Sequence, residues 1–200
     1  MRARVVWLLT VVAFAGGCAL TAWRGSDIVR YYMAHAKRDE VRAWFDVPGV
    51  AFAAREHALT IVDDLSDAQK TRQRLEDITG ILSVRPLSSE YWLSLAKMRQ
   101  ATGEGAGKAL EALELSTLTG PNEGTVMAHR GLFGVWQWEI LPPELRTQTA
   151  ADLTASELST RDVAWLKANL SEKPDAVRQE IRTALQAHDF PAAGLARIGL

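Results

Sequence analysis

Residues 86–122 read PLSSEYWLSLAKMRQATGEGAGKALEALELSTLTGPN, and this stretch decides the fold. Ser88 or Ser89 can cap a helix running to about Ala101, on which Trp92, Leu95, Ala96 and Arg99 line one stripe. The turn formers Thr102-Gly103-Glu104-Gly105 interrupt it, and Ala109, Leu110, Ala112, Leu113 and Leu115 then recur at helical spacing. Pro121 stops this second helix, Asn122 caps the next, and Glu123 suits its positive first turn. From Pro86 to Pro121 is thirty-five residues, room for two helices and two turns, the size of one helical-hairpin repeat.

The same periodicity continues outward in both directions, and no stretch alternates apolar and polar residues as a half-buried strand would. Upstream, Asp27 can cap a helix to about Phe45 that Pro48-Gly49 ends; Val50 to Leu65 makes a second. Ser66-Asp67-Ala68-Gln69 has capping-box spacing and opens a third, whose Leu75, Ile78 and Leu82 fall at i, i+3 and i+7. Downstream, Asn122 to Leu141 and Pro143 to Leu153 form a second hairpin, and Thr160 to Leu170 with Pro174 to His188 a third. Residues 191–200 are left as a C-terminal tail, in which Leu195, Ile198 and Leu200 either dock on the last hairpin or fray. The expected class is all-α: a helical domain over 25–190 built of antiparallel hairpins.

Ahead of that domain, Val5 to Trp23 gives nineteen residues without a charge, with Arg2 and Arg4 before and Arg24 after. As a helix the run is roughly 28 Å long, close to the ~30 Å of a bilayer's hydrocarbon core. Trp7 and Trp23 sit near its ends, where indoles favour the headgroup boundary, so residues 1–24 read as a transmembrane signal anchor. Two other readings share the pattern: a cleaved signal peptide, and a lipoprotein signal with Cys18 lipidated after Ala15-Gly16-Gly17. Arg24, Arg30, Lys37 and Arg38 after the span outnumber the charges before it and would favour a cytoplasmic domain. A short basic tail before an apolar run is also an export pattern, and long domains translocate largely regardless of charge. The expectation is a single-pass protein of the bacterial inner membrane with its C-terminal domain in the periplasm.

A net charge of −1, from 23 basic and 24 acidic residues, provides no bulk attraction for nucleic acid. Roughly 175 residues follow the apolar run, enough to bury about 70% of the unfolded chain's surface without disulfide or metal. Cys18 is the single cysteine, so no internal disulfide or CxxC site exists. Chemistry is not legible either. Gly103 to Lys108 superficially resembles a phosphate loop, but a helix precedes it and Ala109 stands where Ser or Thr is needed. His35, His57, His129 and His188 are far apart and form no HExxH or i, i+4 pair, so neither metal nor cofactor is expected. Asp63-Asp64 and Glu139 have no partner that spacing supplies.

Five side chains are candidates for partner contact: Trp92 and Arg99 on the hairpin's first helix, His129, its neighbour Arg130, and Trp138. His129 shares a helix side with Val126, Phe133 and Trp136; its plain reading is a hydrogen-bonded histidine at the core's edge. On one continuous helix Trp136 and Trp138 point about 200° apart, so both cannot face the same core. Trp136 continues the apolar stripe, which leaves Trp138 for a partner, a sugar ring or a membrane surface, or for burial under the helix after Pro142-Pro143.

Beside a tetratricopeptide repeat, residues 86–122 resemble it in Trp92, Leu95 and Ala96 on the first helix, Ala109 and Ala112 on the second, and Pro121 at its end. The chain departs from that pattern by about one extra residue in the Gly103 to Gly107 turn and lacks the usual aromatic on each second helix. The resemblance implies a right-handed array of hairpins. A second resemblance runs from Pro86 through Asp152, carried by Glu90 to Ala96, Leu118 to Glu123, Arg130 and the Trp136/Trp138 pair. Over this third of the chain it is similar to VpsP-type exopolysaccharide biosynthesis proteins, small anchored proteins encoded with bacterial surface-polysaccharide polymerases and ligases. That likeness implies a non-catalytic accessory in polysaccharide assembly or export, with a polymerase or ligase as protein partner. The other classes left open are a structural module of a secretion or division complex, and a hydrolase built from scattered carboxylates.

Overall fold

A computed structural model describes residues 12, 14–18, 21–22, 26, 30, 44, 47, 50–60 and 68–200. Most of the expected span over 5–23, the helix expected over 27–45 and the acidic pair Asp63-Asp64 lie outside the described residues. No helix among the described residues is long and apolar enough to cross a membrane.

The described part is all-α. Its helices are α1 (Ala51–Thr60), α2 (Ala68–Val84), α3 (Ser89–Thr102), α4 (Ala106–Thr119), α5 (Gly124–Trp136), α6 (Pro143–Ala155), α7 (Thr160–Ser171), α8 (Asp175–Ala187) and α9 (Ala192–Ile198). A 3-10 turn, Trp138–Ile140, joins α5 to α6. The α3–α4 hairpin forms as its sequence dictates. Gly103 supplies the left-handed residue after α3, at φ 69°, and its N–H donates to the Gln100 carbonyl. Ala109 and Ala112 are buried against the partner helix, where their small side chains let the two axes approach.

Between α5 and α6 the close approach is made by glycine. A Cβ on Gly131 would lie 2.5 Å from Leu153 Cγ, and one on Gly134 would collide with the Thr149 hydroxyl. These glycines are three residues apart and Thr149 and Leu153 four, so one small ridge of α5 sits under one ridge of α6.

First helices pack on first helices, α3 on α5 and α5 on α7, but the hairpin expected from 160–170 and 174–188 does not close on itself: α7 packs on α9 and α8 on α6. Two apolar clusters result. One joins Ile78, Leu82, Leu95, Met98, Leu113, Phe133 and Leu145; the other joins Val135, Trp138, Leu153, Leu166, Leu170, Ile181, Leu185 and Ile198. The α5–α6 hairpin contributes to both, so no solvent gap divides them there.

Of the two outcomes left open for residues 191–200, docking holds: they form α9, which packs on α7 and buries Leu195 and Ile198. Pro191 precedes it, Gly199 at φ 85° ends it, and Arg178 donates to the Gly199 carbonyl at 3.0 Å. The single helix expected over 122–141 is instead α5 followed by the 3-10 turn. Leu141, held extended ahead of Pro142, cannot continue a helix, and the chain has already left α geometry at Gln137. At the other end of α5 the expected Asn122 cap is absent: Glu123 is the N-cap residue and caps nothing with its side chain. Its carboxylate accepts instead from the Ser89 hydroxyl at 2.6 Å.

Candidate functional site

Arg130 lies on the inner side of α5, only 1% exposed, and pairs with the equally buried Asp152 on α6 at 2.8 Å. All five of its N–H donors are used. Nε and one Nη donate to the two Asp152 oxygens, and the remaining donors reach the carbonyls of Ser116, Gly120 and Pro121 at the end of α4. Gln148 donates to the same carboxylate, and the Ser116 hydroxyl donates to the Ser89 carbonyl at the start of α3. Arg130 is therefore a joint between two hairpins, and its expected role as a partner contact is corrected: no face of it is left for a ligand.

Of the two readings of Trp138, burial under the helix after Pro142-Pro143 holds and partner contact is corrected. It is 2% exposed, beneath Arg146 at 5.7 Å from the ring centre, with its indole N–H donating to Glu180 at 3.3 Å. Trp136 takes the outward place, 45% exposed. The 200° separation assumed one continuous helix; the 3-10 turn swings Trp138 inward instead. Trp92 and Arg99 are half-buried and tied locally. The Trp92 indole donates to the Pro86 carbonyl at 2.7 Å, and Arg99 donates to the Lys108 carbonyl at 2.9 Å while facing Glu104 across 3.8 Å. Of the five candidates, His129 alone is exposed, and it faces a groove.

The groove runs over the first-helix face. α5 contributes His129, Leu132, Phe133 and Trp136, at i, i+3, i+4 and i+7, so one side of the helix lines the floor for two turns. Lys97 from α3 forms one wall, and Arg161, Asp162 and Trp165 from the start of α7 form the other, around a cavity of about 400 Å³. A polar extension shares His129, Arg161 and Asp162 and continues past Thr125, Ser156 and Glu157. Trp165 is 40% exposed and Trp136 meets the Phe133 ring edge-on at 5.8 Å between centres. Lys173 donates to the Trp136 carbonyl and grips Glu139 at 2.8 Å, which fixes the helix end carrying Trp136.

Charge on the groove is unevenly spent. Asp162 is consumed by the N-cap of α7, accepting from the Ser159 amide and hydroxyl at 3.0 and 2.7 Å. Lys97, His129 and Arg161 make no ion pair among the described residues. Lys97 keeps solvent access, yet the protein crowding that wall desolvates its ammonium and lowers its pKa below the ordinary lysine value, against a smaller opposing pull from Glu90. Glu139 is also desolvated, which raises its pKa, but the hydrogen bond and charge of Lys173 outweigh this and hold it below the usual carboxylate value. No group of three or more His, Cys, Asp or Glu side chains that could hold a metal ion occurs among the described residues.

The sequence reading missed Lys97, Arg161, Trp136 and Trp165 as groove residues. Their proximity depends on α3, α5 and α7 lying side by side, which no local spacing encodes. No family model, no curated protein and no solved structure matches the chain.

Proposed function

We propose that this chain is a non-catalytic scaffold that holds a protein partner on the face made by α3, α5 and α7. The observation that carries this reading is the groove itself. Two indoles, two cations without ion pairs and an exposed imidazole are gathered from α3, α5 and α7 onto one open surface. Exposed aromatic and cationic side chains around an apolar floor are the composition of interface centres. Stacking of first helix on first helix agrees with a tetratricopeptide-like array, whose repeats expose one such face.

The setting we propose is a bacterial envelope complex, with residues 1–24 as a single-pass inner-membrane anchor and the helical domain in the periplasm. The uncharged run from Val5 to Trp23 supports the anchor, and the likeness around Glu90 to Ala96 and Leu118 to Glu123 supports an accessory role in surface-polysaccharide assembly. Deleting the gene should shorten or abolish surface polysaccharide, and purification of the tagged full chain should retain a polymerase, ligase or export component. Unchanged polysaccharide rejects the setting. An alkaline phosphatase fused after Leu200 should be active; an inactive fusion places the domain in the cytoplasm.

A further inference from the structure

We propose that the groove receives an acidic amphipathic α-helix of a partner protein, a refinement that rests on the scaffold reading. Three features of the lining select this occupant. First, the floor is a stripe of His129, Leu132, Phe133 and Trp136, two turns or about 10 Å along α5, with Trp165 beside its apolar end. A helix presents its own apolar ridge at the same i, i+3, i+4 spacing and packs such a stripe ridge into groove.

Second, the floor and the Lys97 wall belong to the interiors of α5 and α3, whose amides and carbonyls bond within their own helices, so free main-chain groups are confined to the first turn of α7 and to residues 156–159 of the extension. The lining of the groove and its extension also contains no Asn or Gln. An extended peptide needs one donor and one acceptor per residue from its receptor, and this surface supplies almost none. A helix satisfies its own backbone and asks only for side-chain contact. Third, Lys97 and Arg161 stand on opposite walls without ion pairs, while Asp162 is committed to Ser159 and Glu157 lies at the polar far end. Carboxylates flanking the ridge of an incoming helix meet one cation on each side, which fixes its position across the stripe and disfavours a basic helix.

The test uses the purified full chain against two phage-displayed libraries of equal size. One is templated as helices of about 18 residues, long enough to hold helical structure; the other is of linear peptides with a central proline. Helical clones with Glu or Asp beside the apolar ridge should be enriched from the first. Synthetic peptides from those clones should bind at least about tenfold more weakly to Trp165→Ala and to the Lys97→Glu/Arg161→Glu double variant. All substituted positions are exposed, so the variants should keep native circular dichroism. Enrichment of proline-containing or basic clones, or of none, overturns the proposal. So does micromolar binding of polygalacturonate that Trp165→Ala abolishes, which would make the groove a glycan site. Any of these results leaves a co-purifying envelope partner intact, so failure here is distinct from failure of the scaffold reading.

Discussion

A guanidinium taken out of water costs several kcal/mol unless its charge and all its donors are matched, and Arg130 meets that condition because α4 and α6 deliver acceptors to it from two sides. Arg130→Ala should lower stability by about 3–5 kcal/mol in urea denaturation, since it strands Asp152 in the core. Arg130→Lys should recover little, because an ammonium carries three donors and cannot span the same acceptors. The two tryptophans give a sharper contrast. Trp138→Ala should cost about 3–5 kcal/mol and Trp136→Ala less than about 1.5, the reverse of what one unbroken helix would require. Lys97 has its folded pKa lowered by desolvation, so folding carries a penalty while the ammonium is protonated. That penalty is present at neutral pH and relieved as pH rises through the folded value towards 10.5, the unfolded one. Lys97→Met should therefore be more stable than the native chain at pH 7, and the difference should disappear above about pH 10.5 in pH-dependent melts. At this scale the sequence is least informative: it ranks Arg130 and His129 together as neighbours, and only the turn of α5 sends one to the core and the other to the groove.

Helices show how much can be read in advance. The α3–α4 hairpin was legible because its glycine turn, its apolar stripe and its closing proline all agree, although Ser88 at the N-cap position makes no capping hydrogen bond with its side chain. Ends were less legible. α5 stops at Trp136, short of the proline pair, because Trp138 gains burial by leaving α geometry, and that gain is a tertiary effect. Residues 191–200 are too short for periodicity to separate a docked helix from a tail, and it is the apolar surface of α7 that decides. Glycine in the middle of a helix reads as weakness in sequence, yet Gly131 and Gly134 are where α6 comes closest. Gly134→Ala should raise intrinsic helicity and still destabilise the protein by about 1–3 kcal/mol through overpacking against Thr149. Gly107→Ala, which meets no atom within 4 Å, is the control and should be neutral or slightly stabilising by the same melts.

Across the whole molecule, the decisive property is the pairing order of the helices. The α3–α4 and α5–α6 hairpins each close on themselves, and α3, α5 and α7 still lie side by side and keep a common outer face. The α5 side shared by His129, Phe133 and Trp136 was legible, but the groove residues of α3 and α7 escaped the sequence reading, because the face is assembled from positions up to 68 residues apart, from Lys97 to Trp165. The same order explains why the groove coexists with a full core: Phe133 serves both, buried on one edge and meeting Trp136 on the other. The most direct measurement is complementation of the deletion strain with the full chain carrying Trp136→Ala and Trp165→Ala, read as surface-polysaccharide length. The doubly substituted chain should accumulate and melt within a few degrees of the native one yet fail to restore the polymer. Restoration equal to that of the native chain would contradict a scaffold working through this face.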